Sequence, residues 1–127
     1  MLGSAKAVAF ASVTDLDRAR AFYEDVLGLT VLSQGAFALM CEAGGVSVRI
    51  TKVEALTPQS FTVLGFEVEE IGSVVEALAA RGVVFERYPF FGSAQDARGV
   101  WTAPSGSLVA WFKDPDDNLL SISTTAP

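Results

Sequence analysis

The chain carries one pattern twice. Val8, Val13 and Leu16 correspond to Val63, Val68 and Ile71 at a constant offset of 55 residues, and Gly28 corresponds to Gly82 after a slip of one. A repeat this long occurring twice makes a pair of modules, because a stacked solenoid needs three or more copies. In the first copy, Ala7–Val13 is apolar, β-prone and uncharged, as a buried strand is. Thr14-Asp15-Leu16-Asp17 then supplies an oxygen-bearing cap and first-turn acids. Leu16, Ala19, Phe22, Tyr23, Val26 and Leu27 follow at helical spacing, and Gly28 stops the helix with left-handed backbone. Thr30–Ser33, Ala36–Cys41 and Val46–Lys52 read as strands, the last two joined by a Gly44-Gly45 hairpin turn.

Glu54–Ser60 holds Pro58, lacks periodicity and reads as a linker. The second copy then predicts a strand over Phe61–Val68 and a helix over Ile71–Arg81, with Ile71, Val74, Val75 and Leu78 inward and Gly82 as its stop. Strands are predicted at Val83–Arg87, Gly99–Ala103, Leu108–Phe112 and Leu119–Ser123, with turns at Pro104-Ser105-Gly106 and Asp114–Asn118. The short tail Thr124–Pro127 has no pattern. The fold class is therefore α+β: two tandem βαβββ modules, about 6–53 and about 60–124, in one domain over 1–127. Each helix covers one face of its sheet. Two such sheets side by side are expected to curl into an open trough of mixed sheet, with helices outside and a ligand pocket lined by the second face.

Composition excludes several functions. Nine Lys+Arg against 15 Asp+Glu give a net charge of -6, without a basic cluster, so nucleic acid is not an expected partner. No window of about 18 residues is free of charges or turn signals, so no membrane span is expected. The absence of histidine removes the Ser-His-Asp triad, the imidazole base and His-ligated zinc. A lone Cys41 in an apolar run implies a buried, inert thiol and a cytoplasmic setting. Met1–Ala5 has no basic region leading into a long apolar stretch, so no signal peptide is expected.

The segment Val13–Leu29, with Phe22-Tyr23 and Leu27-Gly28-Leu29, resembles the opening module of the vicinal oxygen chelate superfamily. That group includes glyoxalase I, extradiol dioxygenases, fosfomycin-resistance transferases and bleomycin-binding resistance proteins. Trp111–Ile122, with its Asp114-Pro115-Asp116-Asp117-Asn118 turn, is similar to the family's final strand-turn-strand, and the match runs from about Ala7 to Ser123. Asp117 stands where the family has Gly; because Asp tolerates left-handed backbone, the turn is expected to survive. By this resemblance, the metal ligands of relatives fall on Val8, seven residues before Asp15, on Val63, seven before Glu70, and on Ser121, three after Asn118. Valine has no lone pair and one neutral hydroxyl does not hold a divalent cation, so neither metal nor cofactor is implied.

From the same anchors, alternation places Val8, Phe10 and Ser12, then Gly65 and Glu67 with Val63, then Leu119, Ser121 and Ser123, on the trough side. Comparison with the fosfomycin-resistance pattern adds Trp111, with Val109 and Lys113, and more weakly Ser47, Arg49 and Thr51. Trp111 suits a flat or apolar ligand, or else completes a core or dimer contact. Trp101 faces either the pocket or the core. Phe90 and Phe91 form a flap over the trough, a plug within it or a subunit contact. Arg49 pairs with Glu67, or the two orient a polar ligand, with Glu67 available as a general base.

The resulting expectation is a metal-independent protein that binds a small organic molecule, cationic or aromatic, through Val8, Phe10, Arg49, Val63, Glu67, Phe90, Trp101, Trp111 and Ser121. No catalytic residue is assigned, and a homodimer is implied by the resemblance. The alternative is a lyase or dioxygenase-type enzyme with a carboxylate-built metal site, or with Glu67 as base. A third reading is an interaction module whose trough its own aromatic side chains fill.

Overall fold

The computed structural model describes residues 1–125, so Ala126 and Pro127 of the predicted tail lie outside the described residues. The chain divides into two units, Met1–Thr57 and the remainder from Pro58. The first contains β1 (Val8–Val13), α1 (Leu16–Arg20), β2 (Thr30–Gln34), β3 (Ala38–Ala43) and β4 (Val46–Lys52). Its sheet order is β1-β4-β3-β2, with β1 parallel to β4 and the other pairs antiparallel. The second contains β5 (Leu64–Glu67), α2 (Ile71–Ala80), β6 (Trp101–Thr102), β7 (Leu108–Lys113) and β8 (Leu119–Ser123). Its order, β5-β8-β7-β6, repeats the same topology. The α+β class and the tandem βαβββ modules are as the repeat predicts.

In the first module, Asp15 caps α1 by accepting the N–H of Arg18 at 3.0 Å. Beyond Arg20 the helix widens into π turns over Ala21–Val26, with Leu27 N–H bonded to Phe22 O at 2.9 Å. Adjacent apolar pairs, Phe22-Tyr23 and Val26-Leu27, read alike for either turn width, which is why the sequence predicts one uninterrupted helix. Gly28 stops it at φ 79°. Tyr23, Val13, Leu39, Cys41 and Ile50 are fully buried on the helix side of the sheet. Truncating Ile50 to Ala there costs about 2–5 kcal/mol.

In the second module, Ile71, Val75 and Leu78 of α2 are buried, as are Ala110, Phe112, Leu120 and Ile122 from the strands. Val74, predicted inward, is half-buried. Three predicted strands are shorter than the sequence suggests. Phe61–Val68 is strand only from Leu64, because β8, its one neighbour, begins at Leu119 and leaves Phe61 unpaired and exposed. Val83–Arg87 reduces to one bridge, Phe85 to Phe112, with Val84 turned to solvent. Gly99–Ala103 reduces to Trp101–Thr102, since Gly99 at φ 93° cannot lie in a ladder. The Ala36–Cys41 strand is displaced to Ala38–Ala43.

The last turn survives without its glycine. Asp117 adopts φ 64°, and among the described residues it is the one non-glycine at positive φ. No helix among the described residues is long and apolar enough to cross a membrane.

Candidate functional site

Each sheet has a face that its helix leaves uncovered. On the first module, register aligns Phe10 with Arg49 and Met40, and Val8 with Ser47 and Glu42. Val8 and Phe10 are exposed while Ala11 and Val13 are buried, so the predicted alternation along β1 holds. The Arg49 guanidinium carbon lies 6.0 Å from the Phe10 ring centroid, the outer limit of a cation–π contact.

On the second module, Trp111 stands opposite Ser121, which stands opposite Gly65; Val109 stands opposite Ser123 and that opposite Glu67. Trp101 pairs with Val109, so register places it on the face of Trp111 and not in the core. Ser121 is buried, 9% exposed, beside a glycine. A Cβ at Gly65 would stand 3.0 Å from Ser121 Oγ, so the missing side chain makes room for the hydroxyl. Glu67 accepts the hydroxyl of Thr125 at the far end of this face. Val63, before β5, donates its N–H to Leu119 O at 3.0 Å.

Five rings gather on this face. The 3-10 turn Pro89–Ala94 carries Phe91 over both indoles, 4.6 Å from Trp101 at 16° and 5.6 Å from Trp111 at 19°. Tyr88 stands edge-on to Trp111 at 5.5 Å and 86°. Phe90 packs on Phe91 at 4.6 Å and lies 5.6 Å from Tyr88, while 78% of it is exposed. Trp111 Nε1 donates to Thr62 Oγ1 at 3.2 Å, which fixes the orientation of its indole. The sequence reading brought forward Trp101, Trp111 and Phe90. It reads Phe91 with Phe90 as a flap, a plug or a subunit contact, and does not include Tyr88 or Thr62. The Tyr88-Pro89-Phe90-Phe91 run was the signal available: three aromatic residues in a segment too irregular for a buried strand.

The turn is held at its base by Gln95, which is buried. Its Nε2 donates to Glu86 O at 2.9 Å and Gly99 O at 3.0 Å, and its Oε1 accepts Tyr88 N–H at 2.9 Å. Beside it, burial pushes the Asp96 carboxyl upward, but hydrogen bonds from Val100 and Arg98 outweigh that and hold it below the ordinary carboxylate range. Burial raises the Tyr88 phenol, Glu86 raises it further, and Lys113 partly offsets both. Lys113 Nζ lies 3.4 Å from Glu86 Oε1, and the two line an open recess of about 370 Å³ together with Tyr88, Ser60 and Leu119.

The residues that the sequence resemblance aligns with metal ligands do not fit a divalent cation. Val8 and Val63 present hydrocarbon, and Ser121 one hydroxyl. Among the described residues no three His, Cys, Asp or Glu side chains gather as a cation site requires. Cys41 is buried, and burial, then Glu24, push its thiol upward against a smaller opposing effect of Arg20, as suits an inert core residue.

Two βαβββ modules of one topology, each with a strand face that its helix leaves uncovered, define the fold class. The chain belongs to the Glyoxalase/Bleomycin resistance protein/Dioxygenase superfamily, whose profile matches residues 7–122. It is similar in fold to a glyoxalase family protein from Enterococcus faecalis, at 19% identity and TM-score 0.75, covering 97% of this chain and 99% of that one. It is likewise similar to the fosfomycin resistance protein FosX from Listeria monocytogenes, at 15% identity and TM-score 0.75, covering 96% and 93%. An integron cassette protein from V. cholerae aligns at 24% identity and TM-score 0.66, covering 95% and 94%. No curated protein matches the chain.

Proposed function

We propose that this protein binds a small organic molecule without a metal, using the aromatic face of its second module. The observation that carries the reading is the five-ring group of Tyr88, Phe90, Phe91, Trp101 and Trp111 on the face opposite α2, not in the core. Aromatic rings left half-exposed, with one indole N–H anchored by Thr62, suit the clasping of a flat or apolar ligand. The hydrocarbon at Val8 and Val63 supports binding without a cation. Val63, Glu67 and Ser121 flank the aromatic group along the second module's sheet. Val8, Phe10 and Arg49 are proposed as contacts offered by the first module's own uncovered face.

A net charge of -6 favours a cationic ligand through long-range attraction. Exposed Phe10, Leu32 and Phe37 give a physical motive for pairing, and a homodimer is part of the proposal. A reducing cytoplasm suits the free thiol of Cys41.

The test is thermal unfolding of the chain with EDTA, with Mn, Fe, Ni or Zn, and with a panel of small aromatic and aliphatic amines. Metal and chelator are expected to leave the Tm unchanged. Aromatic amines are expected to raise it in the native chain and not in Trp111→Ala. A reproducible Tm rise with a divalent metal overturns the reading and favours turnover at a carboxylate-built site.

A further inference from the structure

Trp101 and Trp111 lie side by side, their centroids 5.9 Å apart and their planes tilted by 35°. Phe91 lies nearly parallel to both. That is the arrangement a flat ring adopts on an aromatic floor. Yet Phe91 comes from a short 3-10 turn, not from a strand or an α-helix. Its turn, Pro89–Ala94, buries no residue and is broken at Gly92, with φ 55° and ψ -132°, a conformation that suits glycine. By contrast the base of the turn is tied down, since the Gln95 amide bonds Tyr88, Glu86 and Gly99. A weakly held segment between fixed ends moves without disturbing the sheet beneath it.

We infer that the Trp101–Trp111 pair is the stacking floor of a site for a planar aromatic molecule, and that Phe91 is its built-in occupant, which the ligand displaces. The inference rests on the binding reading above and gives it a ligand class. A flat ring reaches both indoles as Phe91 does, whereas a branched or saturated molecule touches them only at isolated atoms. The electron-rich indole faces, together with the negative net charge, favour a cationic ring. Affinity in such a site is lowered by the fraction of molecules in which Phe91 has left the floor. Two stacked pairs lost by Phe91 correspond to a gain of about tenfold or more when its ring is removed.

Proflavine, a planar aromatic cation, is the probe. It is titrated into the full chain and into Phe91→Ala, Phe91→Leu and Trp101→Ala, followed by calorimetry and tryptophan quenching. Phe91→Ala is expected to bind about tenfold tighter than the native chain, Phe91→Leu to gain less, and Trp101→Ala to lose most of its affinity. In the native protein, amide exchange at Phe91 is expected to accelerate on binding, because its N–H bond to Tyr88 O at 2.9 Å opens as the turn moves. Native binding with no gain in either Phe91 variant, or with slower exchange at Phe91, overturns displacement and leaves the binding reading standing. Absence of proflavine binding in every form, including Phe91→Ala, overturns the aromatic floor and the binding reading with it.

Discussion

Asp114 and Asn118 close the last turn on each other. Asp114 Oδ1 accepts the Asn118 N–H at 2.9 Å, and Oδ2 accepts the Asn118 side-chain amide at 2.8 Å. Both residues are buried, and Oδ1 also accepts the Asp116 N–H at 2.9 Å. The turn joins β7 to β8 and so sets the register that puts Trp111 opposite Ser121. A local hydrogen-bond clasp thereby positions the central indole of the candidate site.

Asp114→Ala is expected to lower stability by about 2–3 kcal/mol in urea unfolding, because the buried Asn118 amide loses its acceptor. At Asp117, which sits at φ 64°, a β-branched Val is expected to cost about 1–2 kcal/mol while Gly costs nothing measurable.

Gly65 and Ser121 are expected to be coupled. Gly65→Ala brings a methyl to 3.0 Å from Ser121 Oγ and should destabilise by about 1–3 kcal/mol. Adding Ser121→Ala removes the obstructing oxygen and should restore much of the loss. A double-mutant cycle measures this directly, and strict additivity would mean that the two side chains do not meet.

Gln95→Ala removes three hydrogen bonds from the base of the Pro89–Ala94 turn. About 2–3 kcal/mol of stability is expected to go, with faster amide exchange at Tyr88, whose N–H loses its acceptor.

Asp96 makes stability depend on acid pH. Its folded carboxyl binds a proton less readily than the unfolded one, whose ordinary value is 3.8. The stabilisation is therefore complete well above pH 4 and is lost as pH falls through the folded value. Asp96→Asn is expected to flatten that part of an acid unfolding profile measured from pH 6 to pH 2, with the native chain losing stability more steeply below about pH 4.

The repeat, the capped helix starts and the glycine stops were legible because each depends on neighbours within a few residues. Asp15 caps α1 and Gly28 ends its helix as the local pattern requires. Val83–Arg87 and Gly99–Ala103 carry the same apolar, β-prone composition but form little strand. A strand exists only where a partner offers its ladder, and at this edge the Gln95 and Asp96 hydrogen bonds hold the backbone in a loop instead.

For the candidate site, side-chain chemistry was readable from the chain alone: two tryptophans, a Phe90-Phe91 pair, valines where the resemblance would put metal ligands, and no imidazole anywhere. Alternation along a strand also told which residues share a face, as at Phe10 and Ser121. What alternation cannot supply is pairing between segments distant in sequence. The face of Trp101 depended on its opposition to Val109, and the place of Phe91 on a turn whose ends a buried glutamine secures. Periodicity is a property of one backbone segment, whereas a stacked ring over two indoles needs three segments at once, and those come together only when the chain folds.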